Sequence, residues 1–540
     1  MPVSNAVLST HSTEEVDAQC VRVHIPTEGI FTLDFASASL KQEATLSSRT
    51  LTFLNRLRMR TIQMQGFPPG FRFGWSQSAF QSEMGSRRNV DTNTDWYRWV
   101  HDRDNVEAGR VSGEFPEDGP GYMEHFGEFH REAAFLGLDT ARLSIEWSRL
   151  FPRGPLPGPV CHWEGDNIVS IEIKKEQLQE LDGYVDRNAL CKYADIFRDL
   201  RSNNISLILN LYHWSLPLWL HDPLKTRDLG PEATPSGWLS KEIAGQFALY
   251  CAYAASKFDE FVLAYSTMNE PNVLYPKFPP GFFGGDISKR VESNFIQAHA
   301  RAYDAIKSVS EKPVGIISGA LSYMPEKPED EAAAQHAREE RRWPFFDALT
   351  SGRKDNAVRS DLKGRLDWIG LNYYTRYVVH RTGTGFSESD GYGRRCARNS
   401  KSRAGLPTSD FGWEIYPEGL SEVLESFWTR YALPLWVSEN GVADEQDHLR
   451  SYFITSHLAQ VLKSLEKGVD VKGYLHWTLV DNYEWADGFS MKFGLSSFDS
   501  RTCRLQRRQS SLALREIALA RRITGRTESF LNAPEKQADE

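Results

Sequence analysis

Residues 205–213 read ISLILNLYH, a short and almost continuous apolar run that closes on a Tyr-His pair. A run this short and this apolar reads as a buried strand. Seven further runs of the same kind lie to either side. They are 71–80 (FRFGWSQSAF), 138–147 (LDTARLSIEW), 262–269 (VLAYSTMN), 313–320 (PVGIISGA), 366–375 (LDWIGLNYYT), 434–440 (PLWVSEN) and 471–480 (VKGYLHWTLV). Helical patterns fall between them. Tyr122, Phe126, Phe129, Ala133 and Leu136 recur at steps of three and four, making one apolar face. Ile454, Leu458, Val461 and Leu465 do the same ahead of Gly468, and a last helix is expected over about 508–524. Each parallel strand step needs a crossover, so eight strand–helix alternations predict an α/β fold closed as a (β/α)8 TIM barrel. A doubly wound open sheet is the runner-up.

This reading places one catalytic domain at 64–540. Residues 1–63 are rich in Ser and Thr and carry a single alternating stretch, Val21-Arg22-Val23-His24-Ile25. They hold too little apolar surface for a core of their own and are expected to be a poorly structured extension, or sequence upstream of a start at Met64. Over the 540 residues, 40% are hydrophobic and 25% charged, which fits a globular chain with a sizeable core. The net charge of −9 argues against a nucleic-acid binder that tracks phosphates. Six cysteines without paired spacing fit neither a disulfide framework nor a zinc site. No basic-then-apolar leader opens the chain, and no run is long enough to span a bilayer. The expectation is a soluble cytoplasmic protein that engages neither membrane nor nucleic acid.

Active sites of such barrels lie at the C-terminal ends of the strands. Those ends hold Gln81, Arg142, Glu146, His213, Trp214, Asn269, Glu270, Asn372, Tyr374, Glu439 and Trp477, with Glu484 and Trp485 in the loop after the eighth strand. Carboxylates and amides bind sugar hydroxyls, and indole rings stack on sugar faces. Glu270 and Glu439 follow strands four and seven, positions from which two carboxyls can reach one glycosidic bond. A lone Glu at a strand end is as readily half of a structural ion pair, but both here stand beside Asn. Hydrolysis with retention needs one acid and one nucleophile about 5–5.5 Å apart, against roughly 6.5–9.5 Å for inversion. An anionic Glu439 would help Glu270 keep its proton, and Arg142 and Tyr374 are the candidates to hold Glu439 ionised. No HExxH, GxSxG or GxxxxGK occurs, so neither a metal nor a cofactor is expected. The glycines between Gly383 and Gly393 read as a polar loop, and the run Arg338-Glu339-Glu340-Arg341-Arg342 reads as a solvated helix face.

From about Phe67 to Ala533 the chain resembles glycoside hydrolase family 1, and within it the archaeal-type β-glycosidases. The segments that carry the resemblance are FPPGFRFGWSQSAFQSEMG, NTDWYRWVHD, ARLSIEWSRLFP, LNLYHWSLPLWLHDP, YSTMNEPNV, DWIGLNYYTR, GLPTSDFGWE, VSENGVAD and YLHWTLVDNYEWADGFSMKFGL. The resemblance implies that Glu270 of the NEP motif is the acid/base and Glu439 of the ENG motif the nucleophile. It implies a sugar held by Gln81, His213, Asn269, Glu484 and Trp485, with Trp477 beneath it, and Arg142, Asn372 and Tyr374 around the nucleophile. Glu484 and Met491 stand where members acting on 6-phosphorylated sugars carry Ser and Lys, which implies unphosphorylated substrates. Two departures are visible: the loop 272–285 (NVLYPKFPPGFFGG) is shorter than in relatives, and the tail NAPEKQADE is unlike those that join tetrameric members. A homo-oligomer is left open.

The resulting expectation is a retaining, exo-acting β-glycosidase on β-D-glucosides and β-D-galactosides, in oligosaccharides or aryl and alkyl glycosides. It works through a covalent glycosyl-enzyme that a second sugar can intercept by transglycosylation. The alternative is a catalytically inactive sugar-binding protein on the same fold.

Overall fold

The structure, a computed structural model, describes residues 66–274, 286–354, 357–383 and 385–534, together with the backbone of three short strands nearer the N-terminus. The chain divides into two units, Met1–Gly66 and Phe67–Glu540. In the first, strand Cys20–Ile25, which contains the alternating stretch, pairs antiparallel with Gly29–Asp34, and that strand pairs with Ser39–Leu40. The rest of the expected 1–63 extension, like residues 275–285 of the shortened loop, lies outside the described residues.

In the second unit all eight runs form strands: β1 (Arg72–Gln77), β2 (Thr140–Ser144), β3 (Ser206–Asn210), β4 (Val262–Asn269), β5 (Val314–Gly319), β6 (Trp368–Asn372), β7 (Leu435–Asn440) and β8 (Val471–Trp477). Each pairs in parallel with its neighbours in sequence, and Gly473–Trp477 of β8 pairs with Arg72–Ser76 of β1. That last pairing closes the barrel and excludes the open sheet. Helices return the chain between strands, among them Tyr122–Phe135, Arg450–Glu466 and, after β8, Ser511–Ala520. No helix among the described residues is long and apolar enough to cross a membrane.

The barrel interior is filled by Ile208, Ala264, Ile317, Trp368, Trp436 and Leu475. Two indoles fit inside so narrow a ring because glycine faces each. A Cβ on Gly315 would stand 2.4 Å from the Trp368 ring, and one on Gly473 would stand 2.6 Å from that of Trp436. Close packing makes such overlap costly, so these strands carry glycine despite its poor strand propensity.

One expectation is corrected. Arg342 ends the solvated run in sequence, yet only 2% of it is exposed. Arg342 caps helix Glu331–Arg341 with helical backbone, its N–H donating to the Arg338 carbonyl at 3.0 Å, so it falls one turn beyond Arg338, whose Nε donates to the Tyr323 carbonyl, and both guanidiniums turn inward. There it donates to the Leu321 carbonyl at 2.7 Å and to both Glu422 carboxylate oxygens at 2.8 and 3.1 Å. A buried guanidinium needs such partners.

Candidate active site

A cavity of about 510 Å3 opens at the C-terminal rim of the barrel, within the range usual for small-molecule sites. Asn269 and Glu270 reach it from the end of β4, Asn372 and Tyr374 from β6, Glu439 from β7 and Trp477 from the last residue of β8. Gln81, His213, Trp214, Glu484 and Trp485 join them from the loops after β1, β3 and β8. Arg142, on β2, lies beneath the floor with its side chain fully buried. Glu146 is not part of the cavity lining. It is buried beyond β2, where Ser215 Oγ donates to its Oε2 at 2.6 Å.

The floor is one connected hydrogen-bond network. Arg142 donates to Glu439 Oε1, and the Tyr374 hydroxyl donates to Oε2 at 2.6 Å. The other Arg142 nitrogen donates to Asn269 Oδ1 at 2.8 Å, which leaves Asn269 Nδ2 to face His213 Nε2 at 3.0 Å. Asn372 is turned by Ser438 Oγ, which donates to its Oδ1 at 2.7 Å. Its Nδ2 then donates to Glu270 Oε1 at 2.9 Å and to Asn269 Oδ1 at 3.0 Å. Asn269 Oδ1, which accepts from both Arg142 and Asn372, links the Glu439 side of this network to the Glu270 side. Both carboxyls thus face one small volume.

Electrostatics follow from burial. Burial pushes the Glu439 carboxyl above its ordinary value, against the downward pull of the Arg142 guanidinium and of the hydrogen bonds from Tyr374 and Arg142. His213 is held well below the usual imidazole range by burial and by the adjacent Arg142, so it is neutral. Glu484 is pushed up to about 8, mainly by burial, then by the charges of Asp487 and Glu439. Gln81 Nε2 donates to the Tyr483 carbonyl at 2.8 Å and to Glu484 Oε2 at 3.1 Å, while Gln81 Oε1 is buried and meets no donor among the described residues. Buried acceptors are rarely left so, and one on a cavity wall is set for a ligand hydroxyl.

Three non-glycine residues of this cavity hold positive φ: Trp214 at 77°, Glu270 at 46° and Trp485 at 50°. Such backbone costs on the order of 1–3 kcal/mol each and concentrates where function requires it. Glu270 is kept there by its N–H, which donates to the Ile317 carbonyl at 2.8 Å. Trp485 is braced by Phe80, stacked at 5.5 Å, and by Trp96 at 4.7 Å.

Several lining residues escaped the sequence reading. Trp96 and Trp413 stand inside motifs quoted above and were open to assignment as aromatic walls; Phe411 stacks on Trp413 at 4.4 Å. Tyr377, Glu388, Arg394 and Arg395 carry no local signal, because only the folding of the segments after β6 brings them to the opening.

Comparison with known proteins agrees with this architecture. The sequence profile of glycosyl hydrolase family 1 matches residues 180–360 and 353–522. The chain is similar to a β-galactosidase of Saccharolobus solfataricus, 52% identical over 484 residues, with 87% of this chain and 99% of that protein covered. A β-galactosidase of Pyrococcus woesei is 38% identical, with 86% and 99% covered. The crystal structure of a β-glycosidase from Thermosphaera aggregans superimposes with a TM-score of 0.84 at 41% identity, covering 87% of this chain and all of that one.

Proposed function

The chain belongs to glycosyl hydrolase family 1 and is a glycoside hydrolase, and from that premise we propose that it is a retaining, exo-acting β-glycosidase in which Glu439 is the nucleophile and Glu270 the acid/base. The observation that carries this reading is that Glu270 and Glu439 line one cavity and are tied into one hydrogen-bond network through Arg142, Asn269 and Asn372. Glu439 is paired with the buried Arg142 guanidinium while Glu270 accepts from the Asn372 amide, so the two carboxyls stand in different surroundings.

In the first step a Glu439 oxygen attacks the anomeric carbon as the glycosidic C–O bond breaks. Glu270 gives its proton to the departing oxygen, and a glycosyl ester of Glu439 forms. In the second step water gives a proton to Glu270 and attacks the same carbon from the face the leaving group vacated. The ester bond breaks, Glu439 returns as a carboxylate and the sugar keeps its β configuration. A sugar hydroxyl in place of water gives transglycosylation. Arg142 and Tyr374 orient one Glu439 oxygen each, and Asn372 keeps Glu270 directed at the bond.

Gln81, His213, Trp214, Asn269, Glu484 and Trp485 hold the non-reducing sugar, with Trp477 as its platform. The buried Gln81 Oε1, which meets no donor among the described residues, and the Glu484 carboxyl beside it support hydroxyl recognition. β-D-Glucosides and β-D-galactosides are the proposed substrates, since relatives carry both names. The five cysteines with described side chains are free thiols, which supports a reducing, cytoplasmic setting.

The test is the stereochemistry of turnover. Proton NMR of a hydrolysing aryl β-glucoside should show the β-anomer of glucose first, before mutarotation. Glu439→Ala should be inactive and recover with added azide, yielding the α-glycosyl azide. An α-anomer released first by the wild-type enzyme would refute the mechanism, and failure to turn over any aryl β-glycoside would refute the activity.

A further inference from the structure

Beside Glu270 the cavity wall is not barrel but a small sheet growing from it. Beyond β5 the chain forms strand Ser322–Pro325, and beyond β6 it forms strand Arg376–Arg381; the two pair in parallel. Strand Phe386–Glu388 then adds antiparallel on the far side. The base of this wall touches the candidate acid: a Cβ on Gly319 would stand 3.6 Å from Glu270 Oε1. Higher up, the Tyr377 ring lies within the electrostatic reach of Glu270, Glu388 and Arg394. Because Glu270 gives its proton to the leaving oxygen in the reading above, the leaving group must lie against this wall.

Arg394 dominates it. Its guanidinium sits 4.9 Å from the centre of the Tyr377 ring, and its Nε and Nη2 donate to the two Glu388 oxygens at 2.7 and 2.5 Å. The segment that carries it is anchored from below. Glu414, its carboxyl fully buried, accepts from Arg376 at 2.7 and 3.1 Å, from Ser402 Oγ at 2.5 Å and from the Gly393 N–H at 3.1 Å. Gly393 has φ +53°, and a Cβ there would meet the Arg376 carbonyl at 2.2 Å, so this residue must be glycine for the segment to lie so close. Arg394 therefore projects from a fixed backbone onto a fixed ring. Arg395 follows at the opening, its Nε donating to Asp390 at 2.7 Å.

The chemistry of such a surface is selective. A planar guanidinium–carboxylate pair offers donors and acceptors in one plane, with N–H groups beyond the two that Glu388 engages. Adjacent hydroxyls of a sugar ring match that array. An apolar group laid over it would strip water from charged groups and return no hydrogen bond. We propose that Arg394, clamped onto Tyr377 by Glu388, is a specificity-determining residue that selects a further sugar ring over an apolar group on the leaving side of the bond. The inference rests on the β-glycosidase reading above, and names what that site prefers beyond the bond.

The test compares kcat/KM for cellotriose and for an apolar aryl β-glucoside, in wild type, Arg394→Ala and Glu388→Gln. Arg394→Ala should lower the cellotriose-to-aryl ratio about tenfold, equivalent to about 1.4 kcal/mol. Glu388→Gln, which loosens the clamp and keeps the shape, should lower the ratio in the same direction by less; it also serves should Arg394→Ala fail to fold. A ratio unmoved in the folded variants would overturn the inference and leave the β-glycosidase reading standing. A wild-type enzyme inactive on both substrates would overturn the earlier reading, and this one with it.

Discussion

Replacing Arg142 by Met should move the acid limb of the pH–rate profile upward by several units. Arg142 is fully buried and is the guanidinium paired with the Glu439 carboxyl, which burial already pushes above its ordinary value. Breaking a buried pair from one side costs about 3–5 kcal/mol, because the remaining charge has no counterion. At about 1.36 kcal/mol per pH unit, that corresponds to roughly 2–4 units. The sign follows directly. A carboxyl that binds its proton more tightly needs higher pH to become an anion, so activity lost on the acid side returns as pH rises. Tyr374→Phe removes one 2.6 Å hydrogen bond to the same carboxyl. A bond to a charged group is worth about 1.5–3 kcal/mol, so the limb should move by roughly 1–2 units. The assay is kcat/KM for an aryl β-glucoside with a good leaving group, which depends least on proton donation by Glu270. Both variants losing activity in parallel at every pH, with the limb unmoved, would refute the role given to Arg142. Thermal unfolding of each variant separates such a result from collapse of the fold.

Other consequences follow from the same geometry. Glu270→Ala should lower kcat/KM for alkyl glycosides by about 10²–10⁴-fold, the usual share of general acid catalysis, and lower it far less for activated aryl glycosides; equal losses on both would contradict the assignment. The Glu484 carboxyl, displaced from 4.5 to about 8, keeps its proton in the folded state where the unfolded chain has released it. Its contribution to stability is therefore full below pH 4.5 and is lost as pH rises through about 8. Glu484→Gln cannot ionise and should flatten the fall of Tm with pH across that window; parallel Tm curves for the two proteins would count against it. Glu414→Ala leaves the half-buried Arg376 guanidinium without its fully buried carboxylate partner and should cost about 3 kcal/mol, read as a lower urea midpoint. Superimposable unfolding curves would show that the segment is not anchored there.

Legibility differed between the barrel and its opening. All eight strands were visible because a buried strand writes its environment into a few consecutive residues, as Ile205 to His213 and Leu435 to Asn440 do. Glu270 and Glu439 were visible because each sits one or two residues from the end of such a run, beside an Asn. Arg342 was misread for the converse reason: a run of charges does not say which of them the helical turn carries toward the protein. Tyr377, Glu388 and Arg394 gave no signal, since no period or motif brings a strand residue, a hairpin residue and a loop residue together.

What the chain states by itself is the order of elements and the identity of the residues at their ends, because both depend on neighbours a few positions away. Tertiary structure alone decides which ends meet. Asn372 reaches across 102 positions to Glu270, and Arg142 across 297 to Glu439. Burial, which moves the Glu439 and Glu484 carboxyls, likewise exists only once the barrel has closed around them. Hydrogen bonds and charges act over ångströms of space, and the spacing of residues along the chain does not measure that distance.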